Sequence, residues 1–181
     1  MDWTALTQDI VTAARQSFSD LFARHGDETF YAFALYTDED CYTVVPAANS
    51  LEQYQAKLTE LGEADPQELA YYRWASAEWA YEDYASAPFN PICNRLGAAC
   101  AVVSGDAAAF AAFKANVHQA MIGALKLLDD ENFFGQRRDG ALLFITSSDA
   151  DEAEAMEDRS ATILNPPASC KAFLERFDAA E

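Results

Sequence analysis

The chain has 181 residues, 51% of them hydrophobic and 23% charged, so it is long and apolar enough to bury one core, and the composition excludes disordered and fibrous classes. Its 30 acidic and 12 basic residues give a formal net charge of −18, which repels the phosphate backbone of nucleic acids and argues against direct DNA or RNA binding. The same charge favours a protein partner that presents a basic surface.

The first part of the chain predicts two helices with a β-hairpin between them. Periodic apolar residues, caps and turn residues predict, in chain order, a helix over Thr4–His25, strands over Thr29–Thr37 and Cys41–Asn49, and a helix over Ser50–Leu61. The first strand is apolar on both of its alternating faces, so we expect it to lie inside the sheet with cover on both sides.

The middle of the chain is less regular. Leu69–Trp74 can form a strand and Ser76–Tyr84 a helical turn or a loop, and the periodicity does not decide between these states. Pro88 and Pro91 predict an irregular piece, after which Ala99–Ser104 adds a short strand or the end of a helix.

The last part predicts helices around one strand. In chain order, these are an amphipathic helix over Asp106–Asp129, a strand over Ala141–Thr146, and helices over Asp149–Leu164 and Ser169–Phe177. Helices and strands do not alternate regularly enough for a doubly wound parallel sheet. We therefore predict a single α+β domain over residues 1–181, with a mostly antiparallel sheet and helices packed against it.

The sequence also carries signals of location and redox state. The amino-terminal stretch MDWTALTQDI has acids where a secretory signal needs bases, and no apolar run approaches the roughly 20 residues that span a bilayer. We expect a cytoplasmic protein that is not exported and does not enter a membrane. Cys41, Cys93, Cys100 and Cys170 are widely spread, which favours reduced, partly buried thiols over disulfides or metal ligands.

Common catalytic motifs are missing from the sequence. It has no GxSxG, GxGxxG, GxxxxGK[ST], HExxH or CxxC pattern. His25 falls at the end of the first predicted helix, where a structural role is expected. His118 follows Lys114 by four residues and is also expected to be structural, because the fold would have to bring Ser104 or a cysteine beside it to make a nucleophile. No catalytic residue, cofactor or metal ligand is predicted.

Carboxylates are abundant, and two groups of them have a possible function. Glu78 and Glu82 would share a helical face if their segment were helical, and could then form an acid/base pair or bind a divalent cation. Chance pairing explains them better in a chain with 30 acids. The acidic run Asp149–Asp158 lacks the glycine and the alternating ligands of a calcium loop. It predicts a solvated helix face, with docking of a basic partner as the alternative.

The segment Tyr71–Tyr84, YYRWASAEWAYEDY, places six aromatic residues among three acids and one arginine. We expect about half of these rings to fill the core and the others to be exposed or to line a groove. The centre of a protein interface combines aromatic anchors with a few charges. The residues predicted to bind a partner are Tyr71, Tyr72, Arg73, Trp74, Glu78, Trp79, Tyr81 and Glu82.

The same segment carries a family resemblance. Tyr72-Arg73-Trp74, followed by Glu78-Trp79 and Tyr81-Glu82, with the early stretch FYAFALYTDEDCYTVVPAANS and the closing pair Asn165-Pro166, resembles a bacterial family known as domain of unknown function 4303. The resemblance covers almost the whole chain. It implies a single-domain, cytoplasmic α+β protein without established catalytic residues, and it assigns no reaction. Small acidic proteins of this kind resemble in general style the immunity proteins that neutralise bacterial toxins, which implies protein binding by analogy.

Together these observations predict a cytoplasmic, non-enzymatic interaction protein, with an immunity-type inhibitor of a toxin as one form of that role. One alternative is an enzyme or small-ligand-binding protein whose pocket is lined by Tyr72, Trp74, Glu78 and Glu82, with a contribution from His118. Another alternative is a homodimer that uses the same surface as its subunit contact. Acidity that serves only solubility is the simplest explanation of the charge.

Overall fold

The computed structural model describes residues 1–147 and 150–177, with the backbone alone for 150–152. Helices and strands follow in chain order: α1 (Trp3–Arg24), β1 (Phe30–Thr37), β2 (Val44–Ser50), α2 (Leu51–Leu61), α3 (Pro66–Trp74), β3 (Tyr81–Glu82), α4 (Asn90–Val103), α5 (Ala107–Asp130), β4 (Leu142–Ser147), α6 (Ala150–Leu164) and α7 (Pro167–Leu174). Short 3-10 turns lie at Ser76–Glu78, Ala87–Phe89 and Gly135–Arg138. None of the helices in the described ranges is long and apolar enough to cross a membrane.

The four strands form one sheet in the order β3-β2-β1-β4. β2 pairs antiparallel with both β1 and β3, whereas β1 pairs parallel with β4. The predicted α+β class is confirmed, but the prediction of a mostly antiparallel sheet is wrong, because the sheet is mixed. β4 can run parallel to β1 because the chain between them includes the long helices α4 and α5, which allow it to return to the end of the sheet where β1 begins.

Helices cover both faces of the sheet. Phe33 and Leu35 of β1 belong to the larger buried cluster, which includes residues of α1, α4 and α5. Ala32 and Ala34 belong to a smaller cluster that includes residues of α2, α3, α6 and α7. Because successive side chains of a strand point to opposite faces, β1 contributes to both cores. The prediction that this strand lies inside the sheet with cover on both sides is confirmed.

The segment Leu69–Trp74, for which the sequence suggested a strand, is helical. Asp65 and Glu68 form a capping box at the start of α3, and Pro66 lies in the first turn. These signals favour a helix strongly enough to outweigh the β-propensity of the aromatic residues that follow.

The piece after Pro88 is also more regular than predicted. Pro88 lies in a 3-10 turn, and Pro91 occupies the first turn of α4. Backbone N–H groups in the first turn have no acceptor within the helix, so a proline there costs no hydrogen bond. The helix then continues to Val103, so Ala99–Ser104 is the end of a helix and not a strand.

Two polar side chains close the outer edge of β4. The side-chain amide of Asn165 accepts a hydrogen bond from the backbone N–H of Leu143 at 2.9 Å and donates one to the carbonyl of the same residue at 2.7 Å. Ser160 Oγ accepts a hydrogen bond from the backbone N–H of Ile145 at 3.0 Å. These contacts replace the missing neighbouring strand, so β4 does not present unpaired backbone groups at these residues.

Candidate functional site

The aromatic segment Tyr71–Tyr84 divides between core and surface. Trp74, Trp79 and Tyr81 are buried, with 4–8% of their surface exposed, whereas Tyr71 is 46% exposed. Tyr72 and Tyr84 are half-buried. The expectation that about half of the rings fill the core is confirmed, so only part of the segment predicted to bind a partner is available at the surface.

Arg73 has a structural setting. Its guanidinium lies over the rings of Tyr31, Tyr54 and Trp74, at 5.2, 5.6 and 5.2 Å from their centroids. Its carbonyl oxygen accepts hydrogen bonds from the Tyr31 hydroxyl at 2.6 Å and from Trp79 Nε1 at 3.0 Å. Cation–π contacts of this kind, together with hydrogen bonds from the polar groups of aromatic side chains, hold a helix against a sheet. We therefore assign Arg73, Trp74 and Trp79 mainly to the packing of α3.

The two carboxylates of the segment are not arranged as a helical pair. Glu78 lies in a 3-10 turn and pairs with Lys57, with 3.1 Å between Oε2 and Nζ. Glu82 lies in the short strand β3, so the i, i+4 spacing does not place the two side chains on one helical face. Burial raises the pKa of Glu82, and the neighbouring charges of Asp83 and Glu78 raise it further.

Tyr81 belongs to a polar cluster that joins α1 to the sheet. Its hydroxyl donates a hydrogen bond to Glu28 Oε1 at 2.7 Å and lies 2.9 Å from His25 Nδ1. Although burial opposes ionisation of Glu28, hydrogen bonds from Ser50, Tyr81, Gln53 and His25 lower the pKa of this carboxyl. His25 therefore contacts a half-buried network at the end of α1, which agrees with the structural role predicted for it.

The exposed part of the segment borders a concave surface of about 340 Å³, which we call the aromatic recess. It lies at the carboxyl ends of β1 and β4, on the face of the sheet that α3 covers. Its lining residues are Tyr36, Tyr71, Trp74, Ala75, Ser76, Ala77, Thr146, Ser147, Ala153, Glu154, Glu157 and Phe177. Four of these residues are aromatic and two are acidic, and the described residues of the lining include no basic side chain.

One residue of this lining, Glu157, belongs to a buried ion pair with Arg176. Glu157 Oε1 accepts a hydrogen bond from the Thr146 hydroxyl at 2.6 Å, and Oε2 lies 3.0 Å from Arg176 Nη2. The other terminal nitrogen of Arg176 contacts Asp158 at 2.5 Å, and its guanidinium stacks 4.0 Å from the centroid of Phe173. Burial raises the pKa of Glu157, whereas Thr146 and Arg176 oppose that shift.

This ion pair corrects the prediction for the acidic run Asp149–Asp158. Glu154 is exposed, as a solvated helix face requires, but Glu157 is only 8% exposed and faces the fold. Asp149 and the side chains of Asp151 and Glu152 lie outside the described part of the chain. Sequence spacing did not reveal the inward position of Glu157, because its partner Arg176 lies beyond α7.

A second concave surface, of about 410 Å³, lies between α5 and α6, and we call it the basic cavity. Its lining residues are Lys114, Ala115, His118, Gln119, Ile122, Ile145, Ser147, Ala155, Met156 and Arg159. Ser147 lines both concave surfaces, so the two meet at the carboxyl end of β4. In contrast to the aromatic recess, the described lining of this cavity includes basic side chains and no acidic one.

The fold brings a cysteine beside His118, as a nucleophilic site would require. Cys41 Sγ lies 3.4 Å from His118 Nε2. Cys41 has a positive φ of 58° and lies in the turn between β1 and β2. The Cys41 side chain is fully buried, and this burial raises the pKa of its thiol to about 11. A thiol with so high a pKa stays protonated at neutral pH and does not act as a thiolate nucleophile.

Alkylation of the native protein with iodoacetamide at pH 8 is expected to leave Cys41 unmodified while the half-buried Cys93 reacts slowly. The reason is that a neutral, buried thiol is neither nucleophilic nor accessible. Peptide mapping by mass spectrometry measures the labelled positions, and the denatured protein, in which all four free cysteines react, serves as the control. Rapid labelling of Cys41 would show that His118 removes its proton.

The sequence signals and the concave surfaces overlap only in part. Of the residues assigned to the alternative carboxylate pocket, Trp74 lines the aromatic recess and His118 lines the basic cavity. Tyr72, Glu78 and Glu82 line neither of these two surfaces. The spacing of Lys114 and His118, one helical turn apart, was the one signal in the sequence that pointed to the basic cavity. Among the side chains that the structure describes, no group of three or more His, Cys, Asp and Glu residues could hold a metal ion.

Comparison with known proteins identifies a family but no activity. The family model described as a domain of unknown function, DUF4303, matches residues 10–166. No curated protein and no solved structure gives a significant match. The matched range includes all four strands and ends at Pro166, directly after the Asn165 side chain that closes the edge of β4.

Proposed function

Because the chain belongs to the DUF4303 family, whose description names no activity, we propose a role from the geometry: the protein is a non-enzymatic module that binds another protein by receiving a basic side chain in the aromatic recess. The observation that carries the proposal is the opening of this recess, where the exposed rings of Tyr71 and Phe177 and the exposed carboxylate of Glu154 lie together and the described lining includes no basic side chain.

The chemistry of the recess suits an arginine or lysine of a partner. Tyr71 is 46% exposed, so its ring can contact a cation without rearrangement of the core, and Phe177, whose ring already lies 4.9 Å from the Arg176 guanidinium, is 41% exposed. A cation over an aromatic ring gains about 0.5–2 kcal/mol, depending on how far it is desolvated. Glu154 is exposed at the same opening and adds a carboxylate. The rings and the charge together have the composition of an interface hot spot.

The charge of the whole chain supports the same partner. A formal net charge of −18 attracts a basic protein surface and accelerates its encounter with the recess. An immunity-type inhibitor that blocks the basic substrate cleft of a toxin is one form of this role. We place the interaction in the cytoplasm, because four free cysteines suit a reducing compartment.

A capture experiment tests the proposal. Tagged protein is incubated with native lysate at low salt, and a stoichiometric partner is expected to be retained. Tyr71→Ala is expected to weaken binding of that partner about tenfold or more, because an exposed aromatic anchor at the centre of an interface contributes on this scale. Titration calorimetry with the purified partner measures the change, and the affinity is expected to fall as salt is added.

Tyr42→Ala is the matched control for this experiment. Tyr42 is 40% exposed, close to the value for Tyr71, and it contacts α4 at Gly97 instead of lining the recess. The control variant is expected to bind with unchanged affinity. A failure to retain any stoichiometric partner, or an equal loss in both variants, would contradict the proposal.

A further inference from the structure

The aromatic recess draws its rings from three parts of the chain. Tyr36 comes from the end of β1, Tyr71 and Trp74 from the last turn of α3, and Phe177 from the segment after α7. The volume that they line, about 340 Å³, lies within the range of roughly 300–1,000 Å³ that small-molecule sites occupy. Aromatic rings attract a cation through their electron-rich faces. The recess therefore has the components of an aromatic cage for a cation.

The charges around the recess favour a cation. Glu154 is exposed at the opening. The nearby positive charge of Arg176 is compensated, because this residue pairs with both Glu157 and Asp158. In the sequence, residues 148–152 and 178–181 include acids but no lysine, arginine or histidine. The parts of the chain whose side chains are not described therefore cannot place a positive charge beside the recess.

Several hydrogen-bond acceptors of the lining are already engaged within the fold. The carbonyl oxygens of Ala75 and Ser76 each accept a backbone N–H, at 2.9 and 3.1 Å. Glu157 Oε1 accepts from the Thr146 hydroxyl, and Oε2 accepts from Arg176. A primary ammonium has three N–H donors that need acceptors once it leaves water. A quaternary ammonium group has no N–H donor, so its burial in this lining leaves no donor unsatisfied.

We propose that the aromatic recess selects a quaternary ammonium group over a primary ammonium, and that this group is the trimethylated side chain of a lysine in the protein partner. The identity of the source rests on the function proposed for the recess, whereas the selectivity does not. The methyl groups pack on the ring of Tyr71, which is 46% exposed, and the carboxylate of Glu154 offsets the charge at the opening. Cation–π attraction is the usual means by which proteins recognise such groups. A free molecule such as choline carries the same chemistry, so the test separates the two sources.

Titration of isotope-labelled protein at low salt, followed by NMR, tests the selectivity with probes of matched shape. Choline is expected to shift the amide signals of the recess residues. Ethanolamine, which lacks the methyl groups, and the neutral isostere of choline, in which a tert-butyl group replaces the trimethylammonium group, are each expected to bind about tenfold more weakly. A peptide with one trimethyl-lysine in an otherwise uncharged sequence is expected to bind more tightly than choline, because it adds contacts outside the recess.

Two pairs of variants locate the binding. Tyr71→Ala is expected to weaken the binding of choline about fivefold or more, whereas Tyr71→Phe keeps the ring and is expected to bind choline as the wild-type protein does. Ala77→Lys places a positive charge at an exposed position of the lining and is expected to abolish binding. Ala80→Lys makes the same change at an exposed position just before β3, outside the described lining, and is expected to leave binding unchanged. Circular dichroism checks that each variant is folded.

The selectivity is refuted by undetectable binding of choline, by ethanolamine or the neutral isostere that binds as tightly as choline, or by choline binding that survives Ala77→Lys. Choline that binds more tightly than the trimethyl-lysine peptide would assign the site to a small molecule and refute the protein source. A captured partner that binds without a methylated lysine would leave the protein-binding role intact and refute this inference. Selective binding of choline without any captured partner would have the opposite result.

Discussion

Replacement of Arg176 with methionine is expected to lower the free energy of unfolding by about 3–5 kcal/mol at pH 7, because it removes one partner of a buried ion pair. The Arg176 side chain is 1% exposed and contacts the carboxylates of Glu157 and Asp158. Methionine fills much of the same space against Phe173, so the loss reflects mainly the unpaired charge of Glu157. Urea denaturation followed by tryptophan fluorescence measures the change.

The loss of unfolding free energy in Arg176→Met is expected to depend on pH. Burial raises the pKa of Glu157 above its ordinary value of 4.5 in the folded protein, and removal of Arg176 eliminates interactions that oppose this shift. The folded state then binds more protons than the unfolded state between the two pKa values. The stability that protonated Glu157 contributes is therefore fully present below pH 4.5, and it is lost as the pH rises through the raised pKa. The variant should accordingly differ less from the wild-type protein near pH 4.5 than at pH 7.

A surface ion pair supplies the control for Arg176. Arg95 pairs with Asp9 at 2.6 Å, and both side chains are 48% exposed. Arg95→Met is expected to change the free energy of unfolding by about 1 kcal/mol or less, because exposed pairs are solvated and screened. The double variant Glu157→Gln with Arg176→Met should recover part of the stability, because the buried charge is gone. A loss equal to that of Arg95→Met would refute the importance of the buried pair.

Replacement of Asn165 with alanine is expected to lower the free energy of unfolding by about 3 kcal/mol. The Asn165 amide satisfies the N–H and carbonyl of Leu143, donates to the carbonyl of Ala161 at 2.8 Å, and accepts from Arg138 at 3.0 Å. Alanine would leave these buried groups without partners, and each unsatisfied group costs about 1–3 kcal/mol unless water reaches it. Thermal and urea denaturation measure the loss.

Asn116→Ala is the matched control for Asn165. The amide of Asn116 donates to the carbonyl of Ala112 within α5, at 2.7 Å, on the exposed side of the helix. Water can replace that contact, so a change within about 0.5 kcal/mol is expected for this variant. If both asparagine variants lost the same stability, the closure of the β4 edge would not depend on the side chain of Asn165.

The elements that the sequence predicts correctly depend on signals within a few residues of each other. Asp2, Ser50 and Asp106 cap α1, α2 and α5, and each cap precedes a periodic apolar pattern. The hairpin of β1 and β2 follows from two apolar runs around an acidic turn. The state of Leu69–Trp74 stayed undecided from the sequence, because the β-propensity of its aromatic residues competes with the capping box at Asp65.

The features that the sequence did not reveal depend on contacts between distant residues. The parallel pairing of β1 with β4 joins segments about a hundred residues apart, for example Phe33 and Leu143. Cys41 and His118 are also separated by two strands, three helices and the first half of α5 before the fold brings them together. Both concave surfaces lie at the end of this strand pair. A prediction of antiparallel strands could not place these two concave surfaces there.

The two margins of the sheet restrict how copies of this chain could associate. On one margin, Asn165 and Ser160 occupy the backbone groups of β4 that an incoming strand would need. On the other margin, β3 has only two residues and is followed by Asp83 in a left-handed conformation, which ends the strand. Neither margin offers a template for continuous strand addition. Growth into sheet-extended oligomers or fibrils is therefore disfavoured.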